Sequence, residues 1–260
     1  MHIIVDSETG KRKDRTYYPI TAIREAILNS LVHRDYSIHT EGMPIQIIMF
    51  ENRISIMKRI RMVETMNYSA GMVSQVFAFV ETKQTAELMA TGMSKDEIKD
   101  KVIGENLYQL RNETRLRRTF NYVYNRLSSL PDGAVELLVK VDNENAKLLT
   151  LIAIMNTDKL FFEFVYEVYR GRVILGEKTI EDRDINGFFD DKAAQSEEVA
   201  GWSESGIKKL KSCYMKNLAD AGLIESIKTR VIRHALVNYR IEELLHSNGM
   251  DAYINAVKGV

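Results

Sequence analysis

A dense run of large aliphatic and aromatic residues between Ala134 and Val173 constrains the fold of this chain more than any other feature. Few polar faces interrupt the run, and such density is typical of helices at the centre of a core. Its apolar residues are Leu137, Leu138, Val141, Leu148, Leu149, Leu151, Ile152, Ile154, Met155, Leu160, Phe161, Phe162, Phe164 and Val165. We predict that these residues pack and carry no chemistry, because methionine and phenylalanine at helical spacing are ordinarily core residues.

Composition sets the class of the protein. A chain of 260 residues that is 45% hydrophobic and has only three prolines is predicted to be globular and rich in helix. Lys+Arg and Asp+Glu are both 36, so a role with nucleic acid must depend on local patches rather than on a global field.

The single cysteine, Cys213, cannot form an internal disulfide and is expected to be a buried structural thiol. The longest apolar stretch, within Leu148 to Met155, is far shorter than the roughly 20 residues that cross a bilayer. We therefore predict no membrane span and a cytoplasmic location.

The segment from Arg111 to Leu127 divides cleanly when it is drawn as a helix. With 3.6 residues per turn, Arg111, Arg115, Arg118, Tyr122 and Arg126 form one stripe, Arg117 lies at its edge, and Leu116, Phe120, Val123 and Leu127 form the opposite stripe. A guanidinium can donate two parallel hydrogen bonds to one phosphate, so this face suits phosphate neutralisation. The alternative is a solvated face whose arginines only keep the helix soluble.

Residues 62–133 are predicted to form a helix-turn-helix-like unit. Met72 to Ala90 is expected to be one long amphipathic helix that ends at Gly92, and Ser94-Lys95-Asp96-Glu97 is a capping box for a second helix to about Ile103. Asn112 or Thr114 can cap the arginine helix that follows. The linker of nine residues, Gly104 to Asn112, is longer than the usual turn of this motif.

Residues 134–178 are then the central core helices, and residues 179–260 are predicted to form a winged-helix-like unit. A helix over Ile180 to Asp190 is followed by a capping loop, a second helix to Ala221, and two short strands at Leu223–Ser226 and Thr229–Ile232. The second helix carries Lys208, Lys209 and Lys211, which offer a second basic patch.

Residues 1–61 are predicted to be a small α/β fragment, with a helix through Ile20 to Leu31 and strands at Ile45–Phe50 and Ile54–Met57. The segments REAILN at 24–29, HRDYS at 33–37 and PIQI at 44–47 resemble the C-terminal domain of RecG-like helicases and transcriptional regulators, a relative of the GHKL ATP-binding module. This resemblance implies that Glu25 and Asn29 match the N-box, whose asparagine holds magnesium against a nucleotide. The glycine-rich segments of that module are absent downstream, so we predict a truncated, upstream-fused fragment that does not bind ATP.

From about Met66 onward, a second and more specific set of motifs resembles the BrxA family of BREX phage-defence systems. The motifs are Tyr68-Ser69-Ala70-Gly71, Glu105-Asn106-Leu107-Tyr108-Gln109, Thr114-Arg115, Arg117-Arg118, Arg126-Leu127, Phe188-Phe189, Lys192-Ala193-Ala194, Gly201-Trp202-Ser203-Glu204-Ser205 and Ala221-Gly222-Leu223-Ile224. The resemblance implies an all-α, non-enzymatic DNA-binding protein that works beside other BREX subunits.

The leading functional hypothesis is therefore a DNA-binding accessory protein with low sequence specificity for duplex DNA. The predicted phosphate contacts are Arg111, Arg115, Arg117, Arg118, Arg126, Lys208, Lys209 and Lys211. We expect no cofactor, no metal and no catalytic residue, because acidic pairs such as Asp182/Asp184 and Asp190/Asp191 are ordinarily caps or solvated charges. One alternative is a scaffold whose arginines dock on acidic surfaces of other BREX proteins, and a lesser one is a nucleotide-binding regulator.

Overall fold

The computed structural model describes residues 2–5, 12–15, 24–25, 27, 45–49, 54–58 and 66–260. The chain divides into two compact units, Met1–Thr65 and Met66–Val260. In the first unit, strand β1 (His2–Val5) pairs antiparallel with β2 (Arg12–Arg15), and β3 (Ile45–Met49) pairs antiparallel with β4 (Ile54–Lys58). The second hairpin confirms the predicted one, whereas the first was not predicted. Residues 24, 25 and 27 are helical, while Asn29 of the proposed N-box lies outside the described residues.

The second unit is mainly helical, which confirms the predicted fold class. Its helices are α1 (Phe79–Ala90), α2 (Lys95–Gly104), α3 (Glu113–Ser128), α4 (Ala134–Lys140), α5 (Asn143–Met155), α6 (Lys159–Phe164), α7 (Arg170–Ile174), α8 (Asp182–Gln195), α9 (Glu197–Ala200), α10 (Glu204–Asp220), α11 (Tyr239–Ser247) and α12 (Asp251–Lys258). A 3₁₀ turn at Gly71–Ser74 precedes them, and a π-helical turn at Val165–Tyr169 joins α6 to α7.

The core is built around α5, which contacts α1, α3, α4, α6, α10 and α12. Every residue of α5 from Leu148 to Met155 is buried, which is why the sequence of this helix shows no polar face. A cluster of aromatic rings joins the neighbouring helices α6, α8 and α10, with centroids 5.0 to 5.7 Å apart among Phe161, Phe164, Phe188, Phe189 and Tyr214. The packing role predicted for the apolar run is confirmed.

The predicted single helix from Met72 to Ala90 is wrong at its start. After the 3₁₀ turn the backbone of Gln75 is extended, and Ala78 has a left-handed φ of 53°, so α1 begins only at Phe79. The end of α1 is as predicted, because Gly92 has a φ of +82°, where glycine is favoured. The capping box of α2 is also confirmed, since the backbone N–H of Ser94 donates to Glu97 Oε2 at 2.8 Å.

The predicted C-terminal hairpin exists only as isolated bridges rather than strands. Ile224 lies opposite Ile232, and Thr179 lies opposite Val231, both antiparallel. Backbone hydrogen bonds of 2.8 to 3.2 Å place residues 230–233 between residues 178–180 and residues 223–225. Three short extended segments therefore pair side by side, one just before α8 and two after α10. Residues 230–233, the last of the three in sequence, lie in the middle.

Candidate nucleic-acid interface

Helix α3 has the buried apolar face that its sequence predicts, but the predicted cationic stripe is exposed only in its first half, because Tyr122 and Arg126 are buried. Leu116, Phe120, Val123 and Leu127 are buried, and Arg115 and Arg118 are exposed. The helix begins after Asn112, whose side-chain Oδ1 accepts a hydrogen bond from the N–H of Arg115 at 3.0 Å. Of the two predicted caps, Asn112 therefore fills the role. The burial of one stripe fixes the rotation of the helix and directs the opposite side towards solvent.

The exposed side of α3 borders a groove of about 650 Å³. Arg115 and Arg118 lie one turn apart along it. The other residues that line it are Ser74, Val76, Asn112, Thr114, Thr119 and Tyr122. Asn112 and Thr114, at the start of α3, also line the groove, and a helix N-terminus carries a partial positive charge. Two guanidinium groups therefore lie beside this end of the helix.

Arg111 and Arg117 are exposed but do not line the groove. Arg117 forms an ion pair with Glu113 one turn earlier, with Nη2 2.6 Å from Oε1. Both partners are exposed, so the pair adds little stability, but it does offset the charge of this arginine locally. The structure thus places Arg111 and Arg117 at the edge of the candidate interface rather than at its centre.

Arg126 requires a correction, because it does not belong to the exposed face. Its side chain is 2% exposed, Nη1 donates to the carbonyl oxygen of Val76 at 2.8 Å, and Nη2 donates to Gln75 Oε1 at 3.0 Å. The guanidinium also lies 4.6 Å from the centre of the Tyr122 ring. Burial lowers the pKa of Arg126 to about 10, although Tyr122 and Asp158 act in the opposite direction. Arg126 is an internal anchor, and it holds the segment that forms one wall of the groove.

The second basic patch is smaller than predicted. Lys208 and Lys209 are exposed on α10, but Lys211 is half-buried. The Nζ of Lys211 donates to Asn186 Oδ1 at 2.7 Å and lies 5.3 Å from the centre of the Phe189 ring. Lys211 therefore ties α10 to α8. The position of Lys211 in the helical period of α10 predicted an exposed side chain. Contacts with Asn186 and Phe189 of α8 bury that side chain in part.

Further basic residues follow α10. Arg233 and His234 come after the isolated bridges, Arg240 lies in the first turn of α11, and all three are exposed. Arg230, by contrast, has a left-handed φ of 52° and pairs with Asp182, with Nη1 2.5 Å from Oδ1. The sequence places these four residues in the supposed wing of the winged-helix-like unit, although they are not among the predicted phosphate contacts.

The side chain of Cys213 joins α10, which carries Lys208 and Lys209, to the 3₁₀ turn that precedes the groove wall. Its thiol donates to the carbonyl oxygen of Met72 in the 3₁₀ turn at 3.2 Å, and burial raises its pKa. This contact is in keeping with a structural thiol, although Cys213 is half-buried rather than fully buried as predicted. Lys209 and Lys216 lie one turn before and one turn after Cys213 on α10, so their backbone positions flank the 3₁₀ turn that leads to the wall of the groove.

The described residues contain neither a metal-binding cluster nor a membrane-spanning helix. No group of three or more His, Cys, Asp or Glu side chains in that part of the chain could hold a metal ion. None of the helices described is both long enough and apolar enough to span a membrane.

The model of the BrxA family matches residues 66–249. The chain belongs to the BrxA family. A BREX protein BrxA from Bacillus cereus (strain H3081.97) is 34% identical over 199 residues, which is 76% of this chain and 100% of that relative. A BREX protein BrxA from Escherichia coli O9:H4 (strain HS) is 21% identical over 179 residues, which is 69% of this chain and 84% of that relative.

A solved structure shares the fold. The crystal structure of an uncharacterized protein from Magnetospirillum magneticum superposes with a TM-score of 0.62 at 18% identity, and covers 74% of this chain and 99% of that chain. The BrxA match and the second compact unit both begin at Met66, so the groove, α3 and α10 all belong to the BrxA-like part. The match does not cover residues 1–65, and it therefore gives no support to their resemblance to the RecG-like domain.

Proposed function

We propose that this BrxA-family chain binds the phosphate backbone of double-stranded DNA, and that it serves in this way as a non-enzymatic component of a BREX phage-defence system. The observation that carries the proposal is the pair Arg115 and Arg118, which are exposed one turn apart over the groove at the start of α3. Among the residues that the structure describes, neither has a carboxylate partner, whereas the adjacent Arg117 is paired with Glu113.

The chemistry of this groove favours phosphate over other anions. Arginine donates from a planar fork that matches two oxygens of one phosphate, and the partial positive charge at the start of α3 has the sign that favours an anion. Successive phosphates of a duplex strand form a regular row of charges, which suits two arginines spaced along a helix. Contacts of this type position a protein without reading bases, so we expect low sequence specificity and a strong dependence on salt.

The C-terminal part of the chain supports a second contact with the same duplex. Helix α8, helix α10 and the paired segments at 223–225 and 230–233 follow the order of a winged-helix-like unit. In that interpretation α10 is the helix presented to DNA, with Lys208 and Lys209 on its exposed side. The contact between Cys213 and Met72 keeps this helix close to the wall of the groove, so one duplex can reach both regions.

Partners among other BREX proteins follow from the family. Both relatives are named BREX proteins, which supports a role beside other components of such a system. We place this role in the cytoplasm as part of the proposal. A scaffold role is a second candidate, and one feature favours it: Leu236, before α11, is 86% exposed, and Tyr239, the first residue of α11, is 66% exposed. Large exposed apolar side chains of this kind are used in contacts between proteins.

A matched pair of substitutions tests the proposal on the same helix. Arg118→Gln and Arg117→Gln remove the same charge from neighbouring positions, but only Arg118 lines the groove. We expect Arg118→Gln to weaken binding of a fluorescently labelled duplex by about tenfold, as for loss of one charge-assisted contact. Arg117→Gln should weaken it by less than about threefold, because its charge is already partly offset. Equal effects of the two substitutions would mean that DNA binding depends on the overall positive charge of this face and not on the groove. If the parent protein does not bind the duplex, the scaffold role is favoured.

A further inference from the structure

Residues 71–78, which we call the strap, lie between α3 and α10. The strap consists of the 3₁₀ turn and the extended residues that lead to α1. The Sγ of Cys213 on α10 lies 3.8 Å from the carbonyl oxygen of Gln75, whereas Arg126 on α3 donates to the carbonyl oxygen of Val76. The backbone of Gln75 is extended, and successive carbonyl groups of extended backbone point in opposite directions. The two helices therefore hold the strap from opposite sides.

The strap and the first turn of α1 carry three exposed valines. Val73, Val76 and Val80 are 40%, 42% and 63% exposed. The side chain of Gln75 accepts a hydrogen bond from the buried Arg126, and in extended backbone the next side chain points the other way. This alternation directs Val76 outwards, into the groove that it lines. Three exposed apolar side chains so close in sequence form an apolar ridge, which we call the valine ridge.

Positive side chains flank the strap on both sides. On the side of α3, Arg115 and Arg118 line the groove together with Val76. On the side of α10, Lys209 and Lys216 are exposed, one turn before and one turn after the cysteine that contacts the strap. The valine ridge thus lies between two sets of cations.

Lys147 of α5 extends the second set towards the end of the strap. Its Nζ lies 5.7 Å from the centre of the ring of Phe79, the first residue after the strap. Lys147 and Lys216 also lie near the same carboxyl group, that of Asp220, whose pKa is raised by burial and lowered by both lysines. Asp220 offsets part of the local charge, but it faces two cations. The row on this side therefore runs from α10 to the start of α1.

Two rows of cations with an apolar ridge between them match the minor groove of a DNA duplex. A phosphate row borders each side of this groove, and the apolar faces of the deoxyriboses line its walls. The minor groove is about 6 Å wide, which suits one extended segment, since neighbouring strands of a sheet lie about 4.8 Å apart. A helix, at about 10 Å across, needs the wider major groove. Apolar side chains are commonly inserted by proteins that bind the minor groove.

We propose that the strap enters the minor groove of duplex DNA and that the protein contacts the phosphates of both strands. Arg115 and Arg118 meet one strand, and the lysines of α10 and α5 meet the other, while the valine ridge packs against deoxyriboses. This inference rests on the proposed function and adds to it the groove, the second strand and the contacts of Lys147 and Lys216. The minor groove presents a degenerate pattern of donors and acceptors, which agrees with low sequence specificity.

Competition between the full-length protein and small ligands tests which groove is used. Netropsin occupies the minor groove of A·T-rich duplexes and methyl green occupies the major groove, and both are cations that neutralise phosphate charge. With a labelled A·T-rich duplex, we expect saturating netropsin to weaken binding by about tenfold or more and methyl green by less than about threefold, as measured by fluorescence anisotropy.

Matched substitutions test the strap and the second row of cations. Val76→Asp places a carboxylate between the phosphate rows and should weaken duplex binding by about tenfold, whereas Ile174→Asp, at a 54% exposed apolar position on α7, should change it by less than about threefold. Lys216→Gln should lower the magnitude of the slope of log K against log salt by about 0.9. Lys101→Gln, at an exposed position on α2, should leave the slope unchanged.

The outcomes separate this inference from the proposed function. Displacement by methyl green and not by netropsin would overturn the inference and assign α10 to the major groove. Equal slopes for Lys216→Gln and Lys101→Gln, or equal affinities for Val76→Asp and Ile174→Asp, would also overturn it, while binding by the parent protein would still support the contacts of α3. Absence of duplex binding by the parent protein would overturn both. The melting temperature of each variant establishes that it is folded.

Discussion

The Nη1 of Arg126 donates a hydrogen bond to the carbonyl oxygen of Val76 at 2.8 Å, across 50 residues of sequence. This contact fastens the extended segment before α1 to the last turns of α3. Val76 lines the groove that Arg115 and Arg118 border, so a buried arginine supports one wall of that groove. The arginines of α3 thus divide into a buried structural residue, Arg126, and an exposed group that includes Arg115 and Arg118.

We predict that substitution of the buried arginine lowers the free energy of unfolding more than substitution of an exposed one. Arg126→Met should reduce the free energy of unfolding by about 1 to 3 kcal/mol, because the oxygens of Val76 and Gln75 lose their donor inside the protein. Arg118→Met should change it by no more than about 0.5 kcal/mol, as is usual for exposed positions. Urea denaturation followed by circular dichroism measures both. Equal effects would mean that Arg126 does not anchor the segment.

The stability of the protein should also respond to the buried carboxyl group of Asp158. Burial raises the pKa from 3.8 to about 6, so the folded state binds more protons than the unfolded state between these values. Stability contributed by this group is therefore fully present below pH 3.8, and it is lost between pH 3.8 and about 6 as pH rises. Asp158→Asn removes the titration and keeps the cap. Relative to this variant, the parent should lose about 2 to 3 kcal/mol between pH 4 and pH 7.5.

Asp142→Asn supplies the contrast for that measurement. The pKa of Asp142 is lowered by the hydrogen bond from the N–H of Asn145 and by the side chain of Asn145. Its contribution to stability is present above the unfolded pKa and is lost as pH falls. Asp142→Asn should therefore run nearly parallel to the parent between pH 4 and pH 7.5 and separate from it only below about pH 4, whereas Asp158→Asn separates from the parent above pH 4. A curve for Asp158→Asn that is parallel to the parent between pH 4 and pH 7.5 would contradict the placement of Asp158 in the interior.

The parts of α3 that the sequence predicted are those set by local spacing. The apolar stripe of Leu116, Phe120 and Val123 depends only on the helical period, and the cap at Asn112 depends on side chains within one turn. The burial of Arg126 could not be predicted in this way. Its place is set by Gln75 and Val76, which are close in space but 50 residues away in sequence.

Two other differences have the same physical origin. The apolar pattern continues from Met72 into α1, so nothing local shows that Ala78 adopts a left-handed backbone and breaks the helix. At the C-terminal end, the hairpin pattern was correct for residues 223–232, but a third segment at Lys178–Ile180 also pairs with it. Pairing between segments distant in sequence is decided by packing, which periodicity does not report.

We predict that residues 66–260 fold without residues 1–65. The second compact unit and the BrxA family match both begin at Met66, and the core around α5 lies wholly within that unit. A truncated protein should keep a cooperative thermal transition and the far-UV circular dichroism of a helical protein. A non-cooperative transition or loss of helical signal would show that the first unit completes the core.

The salt dependence of DNA binding tests the central claim most directly. Each phosphate contact contributes about 0.9 to the slope of log K against log salt concentration, so Arg115→Gln with Arg118→Gln should lower the magnitude of the slope by about 1.8. Fluorescence anisotropy of a labelled duplex across a salt series measures the slope for the parent and the double variant. A decrease of this size supports two phosphate contacts in the groove of α3, and an unchanged slope would contradict the account.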